Sequence, residues 1–73
     1  RKAFFVPPES IFQRGQMDYV FLADQESARL RIVRLGVATV TQTEVLAGIG
    51  EGDSIVLNPS SELRDGQPIN VRP

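Results

Sequence analysis

The chain has 73 residues, 41% of them apolar and 23% charged, which is the composition of one small globular domain spanning residues 1–73. Its longest apolar runs are a few residues, far below the roughly 20 needed to span a bilayer. It contains neither cysteine nor histidine, which excludes disulfides, thiolate metal sites and the commonest general base of enzymes. The net charge of −1 gives no general attraction to nucleic acid.

The first third of the sequence predicts an edge strand followed by a hairpin. Residues 3–6 form a short apolar run that two prolines stop, and an edge position suits it because neither proline can donate to a ladder. Residues 11–14 and 18–23 then predict the two arms of a hairpin around residues 15–17.

The second arm of this hairpin is predicted to be a central strand with both faces covered. Tyr19 and Phe21 share one face, and Val20 and Leu22 share the other, so apolar side chains point both ways. An aromatic pair of this kind can stack on a ligand. Without interleaved basic residues, we interpret it as core packing.

Residues 28–35 predict the next strand, because polar and apolar side chains alternate along them. The residues expected to face the core are Ala28, Leu30 and Ile32. Beyond Ile32 the alternation breaks, and a bulge near Val33 is expected to restore it. Gly36 is expected to end the strand.

Residues 43–57 predict a strand, a tight glycine turn and a second strand, around which the rest of the chain is organised. Three glycines within five residues mark positions that need positive φ or close backbone approach. Ile49 is interpreted as an apolar plug folded back onto the core. The residues assigned to this structural turn are Gly48, Ile49, Gly52 and Asp53. A phosphate-binding loop would open a helix and carry a lysine, whereas a strand is predicted to follow here.

The C-terminal residues predict a second structural turn and a last strand. Residues 58–61 interrupt the pattern, Asp65 and Gly66 form the turn, and residues 69–71 make a short strand. These elements together predict an all-β fold, a small antiparallel β-roll or β-barrel of about six or seven short strands with little or no helix. The expected core residues are Val20, Phe21, Leu22, Leu30, Ile32, Val45, Ile55 and Val56.

Two groups of charged residues are candidates for function. Five carboxylates occur in or near turns, but their spacing matches no calcium loop and no convergent acid–base set. They are Glu44, Glu51, Asp53, Glu62 and Asp65. We therefore predict no enzyme activity, no metal site and no cofactor. Arg29, Arg31 and Arg34 are the one local charge excess, and they form either a solvated strand face or a docking patch for an acidic partner surface.

Three short motifs follow one another along the chain. Residues 31–36 read Arg-Ile-Val-Arg-Leu-Gly, residues 43–56 read Thr-Glu-Val-Leu-Ala-Gly-Ile-Gly-Glu-Gly-Asp-Ser-Ile-Val, and residues 63–69 read Leu-Arg-Asp-Gly-Gln-Pro-Ile. They resemble Arg-x-Val-x-x-Gly, Val-Glu-Ile-x-Ser-Gly-Leu-x-x-Gly-Asp-x-Val-Val and Leu-x-Asp-Gly-x-x-Val of the periplasmic adaptor subunits of bacterial efflux pumps. These adaptors are the membrane fusion proteins of the HlyD/RND efflux adaptor family, and the chain is similar to their C-terminal, membrane-proximal domain.

This resemblance implies a non-catalytic domain, a fragment of a larger adaptor that is held at the inner membrane of a Gram-negative bacterium and works in the periplasm. The implied partner is an inner-membrane transporter, an RND permease first of all. An outer-membrane channel would be reached through other domains, and the full-length protein would self-associate. Three alternatives stay open: an adaptor of an ATP-driven exporter, an enzyme or enzyme β-domain with substrate residues on its loops, or an unrelated small β-barrel that binds an oligonucleotide or a sugar. The family also implies that a strand from elsewhere in the adaptor completes the domain, which predicts an open sheet edge here.

Overall fold

The computed structural model describes residues 3–69, which form an antiparallel sheet of five strands and one short 3₁₀ turn at Pro8–Ser10. The strands are β1 (Phe4–Val6), β2 (Phe12–Arg14), β3 (Met17–Asp24), β4 (Ser27–Ala38) and β5 (Thr43–Ala47). Their order across the sheet is β1-β5-β4-β3-β2. The all-β prediction is confirmed. Within the described residues, β1 and β2 end the sheet, and the exposed edge expected from the sequence stays a prediction.

The hairpins form where the sequence allows positive φ. The predicted β2–β3 hairpin is confirmed, and Gly15, with φ of +62°, begins its turn. The turn has two residues rather than the three predicted, because Met17 is already the first residue of β3. The β3–β4 turn instead uses Gln25, a non-glycine residue with φ of +59°. From this turn the pairing of β3 with β4 runs without interruption from Asp24 opposite Ser27 to Asp18 opposite Val33. The β3–β4 hairpin is therefore the longest regular ladder in the described chain.

Of the two further strands predicted from sequence, the one that ends at Leu57 is reduced to a single bridge within the described residues. Ile55 bridges Leu22, and the chain around it hydrogen-bonds to β3 from Val56 N–H to the Phe21 carbonyl at 2.9 Å. Pro68 bridges Ser27, and being a proline it has no N–H with which to extend the ladder. Of the predicted strand at residues 69–71, residues 70 and 71 lie outside the described part of the chain.

The apolar side chains form two clusters, one on each face of β3. The first core cluster has the buried residues Val6, Val20, Leu22, Val33 and Val45, with Phe4, Ile11, Leu35, Ile49 and Ile55 packed against it. The second core cluster has the buried residues Phe21, Ala28 and Leu63, with Phe12, Leu30, Val56 and Ile69 packed against it. Seven of the eight predicted core residues belong to one of these clusters. The prediction of a doubly covered β3 is thereby confirmed.

Ile32 is the predicted core residue that the structure contradicts, since its side chain is 53% exposed. The reason is that β4 changes its buried face. Ala28 and Leu30 face the second cluster. Val33 and Leu35 lie at odd-numbered positions, on the other face of the strand, and face the first cluster. The pairing with β3 continues unbroken through Val33, and the irregularity predicted near Val33 lies one residue further on, between Arg34 and Leu35, in the pairing of β4 with β5.

The irregularities of β4 lie beyond this point, in its pairing with β5. The register shifts between Arg34 and Leu35 and again between Leu35 and Ala38. In the second irregularity Glu44 Oε1 accepts a hydrogen bond from the backbone N–H of Val37 at 3.1 Å. The prediction that Gly36 ends the strand is wrong, because this side-chain acceptor helps the strand to continue to Ala38.

Candidate functional site

The glycine turn after β5 has a structural geometry. Gly48 has φ of +109°, and a Cβ at this position would collide with the carbonyl oxygen of Ile32. Ile49 follows half-buried and packs against the first core cluster. The apolar side chain thus fills the inner side of the turn, which leaves the turn backbone on the outer side.

Asp53 holds this turn closed. Its Oδ2 accepts a hydrogen bond from the backbone N–H of Gly50 at 2.7 Å, and its own N–H donates to the Gly50 carbonyl at 3.2 Å. Gly52 between them has φ of +88°. The carboxylate of Asp53 is therefore engaged by the turn backbone, in the way that aspartate commonly stabilises loops.

Asp65 and Gly66 join the C-terminal loop to β4. Asp65 Oδ1 accepts a hydrogen bond from the Leu30 N–H at 2.9 Å, and the Gly66 N–H donates to the Ala28 carbonyl at 2.6 Å. The Ala28 N–H in turn donates to the Gln67 carbonyl at 2.8 Å. This loop covers the part of the β4 edge that β5 does not reach, and it positions Leu63 over the second core cluster.

The three arginines of β4 do not form one surface. Arg29 and Arg31 lie on the same face, because they pair with Leu22 and Val20 in the β3–β4 ladder. Arg34 is an odd number of residues away from both of them and therefore lies on the other face of β4. All three side chains are exposed. Arg29 already has an acidic neighbour, since its Nε is 3.7 Å from Asp24 Oδ2.

The carboxylates considered from the sequence are dispersed rather than convergent. Glu44, Asp53 and Asp65 accept backbone hydrogen bonds in three different parts of the fold. Within residues 3–69, no group of three or more acidic side chains is placed to hold a metal ion. In the same range, no helix has the length and apolar character needed to cross a membrane.

A cleft lies along β2 that the sequence did not indicate, and we call it the β2 cleft. Its aromatic part, about 310 Å³, is lined by Phe12–Arg14 of β2, Phe21 and residues 59–61. The other end of the β2 cleft is an adjoining depression of about 590 Å³ that is lined by Arg14 and residues 61–64. The sequence signalled an aromatic pair at Tyr19 and Phe21. No sequence pattern indicated that residues 59–64 return to β2.

A second exposed surface lies at the opposite end of the sheet, on β1 and the strands next to it. Phe5 is 57% exposed and lies opposite Glu44, and Leu46 and Val37 are exposed on the neighbouring strands. Glu44, the cross-strand partner of Phe5, adds a carboxylate to this apolar surface.

Comparison with known proteins gives a consistent family assignment. Residues 3–71 match the family described as the YknX C-terminal permuted SH3-like domain. The chain is also 29% identical over 69 residues to the "Putative efflux system component YknX" of Bacillus subtilis (strain 168). That alignment covers 94% of this chain and 18% of the relative, so the chain spans about one fifth of the curated protein it matches. No solved structure matches the chain significantly.

Proposed function

Because the chain belongs to the family of YknX C-terminal permuted SH3-like domains, we propose that it is a non-catalytic docking domain of an efflux adaptor. The observation that carries this proposal is the family match over nearly the whole chain, joined to the name of the curated relative. The described carboxylates support it, since the three that accept backbone hydrogen bonds serve turns and strand edges rather than one reacting centre.

The proposed partner is a transporter of the cytoplasmic membrane, met on the outer side of that membrane. In a Gram-negative cell this compartment is the periplasm, where an outer-membrane channel would be reached through other domains of the adaptor. Self-association of the full-length adaptor is part of the same proposal. The domain would then act as a rigid connecting part, for which two buried core clusters and turns closed by side chains are suitable.

The energy source of the transporter is a finer proposal. The sequence resemblance favours a proton-driven RND permease, with an ATP-driven exporter as the alternative. The name of the relative states an efflux system and leaves both classes open. A protonophore collapses efflux through the first class directly, whereas vanadate and substitution of a nucleotide-binding lysine act on the second.

For the contact with the transporter we propose the face of β4 that carries Arg29 and Arg31. Both side chains are exposed, and they lie one pleat apart on the same face. Charges at the rim of an interface mainly affect the rate and salt dependence of association. A single Arg→Ala substitution is therefore expected to weaken assembly slightly, and reversal of both charges to impair it clearly. Arg34 lies on the other face and provides a matched control.

The test is made in the full-length protein that contains this chain. Deletion of residues 1–73 is expected to abolish dye efflux and co-purification with the transporter while the remaining protein is still expressed. Arg29→Glu with Arg31→Glu is expected to reduce both, and Arg34→Glu to leave both unchanged. Undiminished efflux after the deletion would defeat the docking function. Normal assembly of the folded double reversal would instead remove only these arginines from the interface.

A further inference from the structure

Within the part of the chain that the structure describes, the outer edge of β2 is available for backbone pairing. β2 ends the sheet, and its pairing with β3 begins at Arg14 opposite Met17, next to the two-residue turn. In such a hairpin the residues flanking the turn exchange both hydrogen bonds, and the next residue turns its backbone outward. Gln13 is that residue. The N–H and C=O of Gln13 therefore point away from β3, and no other backbone group within residues 3–69 bonds to them.

An apolar surface lies directly beside this backbone edge. The ring of Phe12 is nearly parallel to the rings of Tyr19 and Phe21, at centroid distances of 5.6 and 5.3 Å. Phe21 is buried, whereas Phe12 and Tyr19 are half-buried and therefore keep part of their surface in contact with solvent. The aromatic part of the β2 cleft can thus receive an apolar side chain from a segment aligned with β2.

The other end of the β2 cleft carries an excess of positive charge. Arg14 lies with its guanidinium carbon 5.2 Å from the centroid of the Phe12 ring, and it shares the adjoining depression with Arg64. Neither arginine forms an ion pair within the described residues, in contrast to Arg29 with its neighbour Asp24. Glu62 is the one carboxylate that lines the same depression, so two cations face one anion there. A carboxylate between the two guanidinium groups would be favoured.

We propose that the β2 cleft binds an extended, acidic segment of a partner protein, which adds to β2 as a further strand. The segment would pair with the backbone of Gln13, place an apolar side chain against Phe12 and direct a carboxylate toward Arg14 and Arg64. A free anion or a lipid headgroup would use the arginines but would leave the backbone edge and the aromatic surface unused. The proposal deepens the docking function proposed above, on which it rests for the identity of the partner as a protein.

The first experiment is an NMR titration of the ¹⁵N-labelled chain with the blocked hexapeptide Thr-Val-Phe-Glu-Val-Thr. Shift changes are expected at Phe12–Arg14 and residues 60–64, and the exchange of the Gln13 N–H is expected to slow. The same peptide with Gln in place of Glu should bind about 3- to 10-fold more weakly, the effect of losing one charge-assisted hydrogen bond at a partly exposed site. An N-methylated version of the peptide, which cannot pair with a strand, should not bind.

The variants Arg14→Gln and Arg64→Gln are each expected to reduce affinity for the acidic peptide by a similar factor. Arg34→Gln removes the same charge elsewhere on the surface and is expected to have no effect. Three results would each overturn the proposal: no shifts at β2 at millimolar peptide, equal binding of the N-methylated peptide, or affinities unchanged in both cleft variants. Binding to phosphatidylglycerol vesicles that depends on Arg14 and Arg64, without peptide binding, would assign the cleft to a lipid surface instead.

The outcome separates this proposal from the docking function itself. If the deletion of residues 1–73 abolishes efflux but the peptide does not bind at β2, the domain docks through another surface. If the peptide binds as expected while efflux survives the deletion, the cleft is a peptide-binding site, but the domain that carries it is not required for efflux.

Discussion

The carboxylate of Asp65 takes the place of a strand partner for Leu30, because its Oδ1 accepts a hydrogen bond from the Leu30 backbone N–H at 2.9 Å. This contact joins residues 35 positions apart and fixes the C-terminal loop on the edge of β4. The predicted motif of an aspartate followed by glycine is thus more than a local turn, because its side chain completes the sheet.

Replacement of Asp65 by Ala is expected to lower the free energy of unfolding by about 0.5–1.5 kcal/mol, since one largely exposed hydrogen bond to the backbone is lost. Asp65→Asn keeps an oxygen acceptor and should retain most of the stability. Urea denaturation of both variants measures the difference. Equal losses in the two variants would mean that the charge of Asp65, rather than its acceptor oxygen, is what stabilises the loop.

Ile49→Ala is expected to destabilise the domain by about 1–2 kcal/mol, below the 2–5 kcal/mol typical of a fully buried isoleucine, because its side chain is half-buried. Leu57 is 53% exposed and belongs to neither core cluster. Leu57→Ala is the matched control, with a change expected within about 0.5 kcal/mol. Thermal unfolding followed by circular dichroism compares the two, and indistinguishable melting temperatures would contradict the packing role of Ile49.

Two glycines separate backbone strain from steric contact. Both Gly52 and Gly48 have positive φ, but a Cβ on Gly52 would meet open space, whereas one on Gly48 would meet the Ile32 carbonyl. Gly52→Ala is expected to cost about 1–2 kcal/mol from the left-handed backbone alone, and Gly48→Ala clearly more. Chemical denaturation gives both values. If Gly48→Ala is as stable as Gly52→Ala, the backbone of β4 at Ile32 can move away from the new methyl group at little cost in free energy.

Gly36 and Glu44 are expected to be coupled. A Cβ on Gly36 would collide with the Glu44 carboxylate, the end of a flexible side chain that also accepts the Val37 N–H. Gly36→Ala should therefore displace this carboxylate and cost about 1 kcal/mol or more in the presence of Glu44. In a Glu44→Ala background the cost should fall, and a double-mutant cycle measures the coupling. If the two substitutions change the free energy of unfolding additively, the Glu44 carboxylate does not lie next to Gly36 in solution.

The sequence predicted the local elements of this fold better than their long-range pairing. The β2–β3 hairpin was predicted from the turn signal at residues 15–17, and the double coverage of β3 from its continuous apolar run. Both are encoded within a few neighbouring residues. The exposure of Ile32 is not, because it depends on which distant segment covers each half of β4.

The same distinction applies to the candidate sites. The glycine turn was recognised from its composition alone, as was the turn at Asp65 and Gly66. The arginines of β4 were grouped by their closeness in sequence, but the pleat divides Arg34 from Arg29 and Arg31. The β2 cleft was missed because Arg14 and Arg64 are distant in the chain and meet only after the C-terminal loop has returned to β2.

The way in which β3 is flanked has a consequence for the order of folding. On the side away from β4, its first half pairs with the adjacent β2, whereas its second half is met by residues 54–56. Because the entropy of closing a loop must be lost before a distant segment gains its contacts, the local β2–β3–β4 meander should form first. The later segments would join afterwards, which places the folding time in the range of about milliseconds to seconds that is typical of small all-β domains.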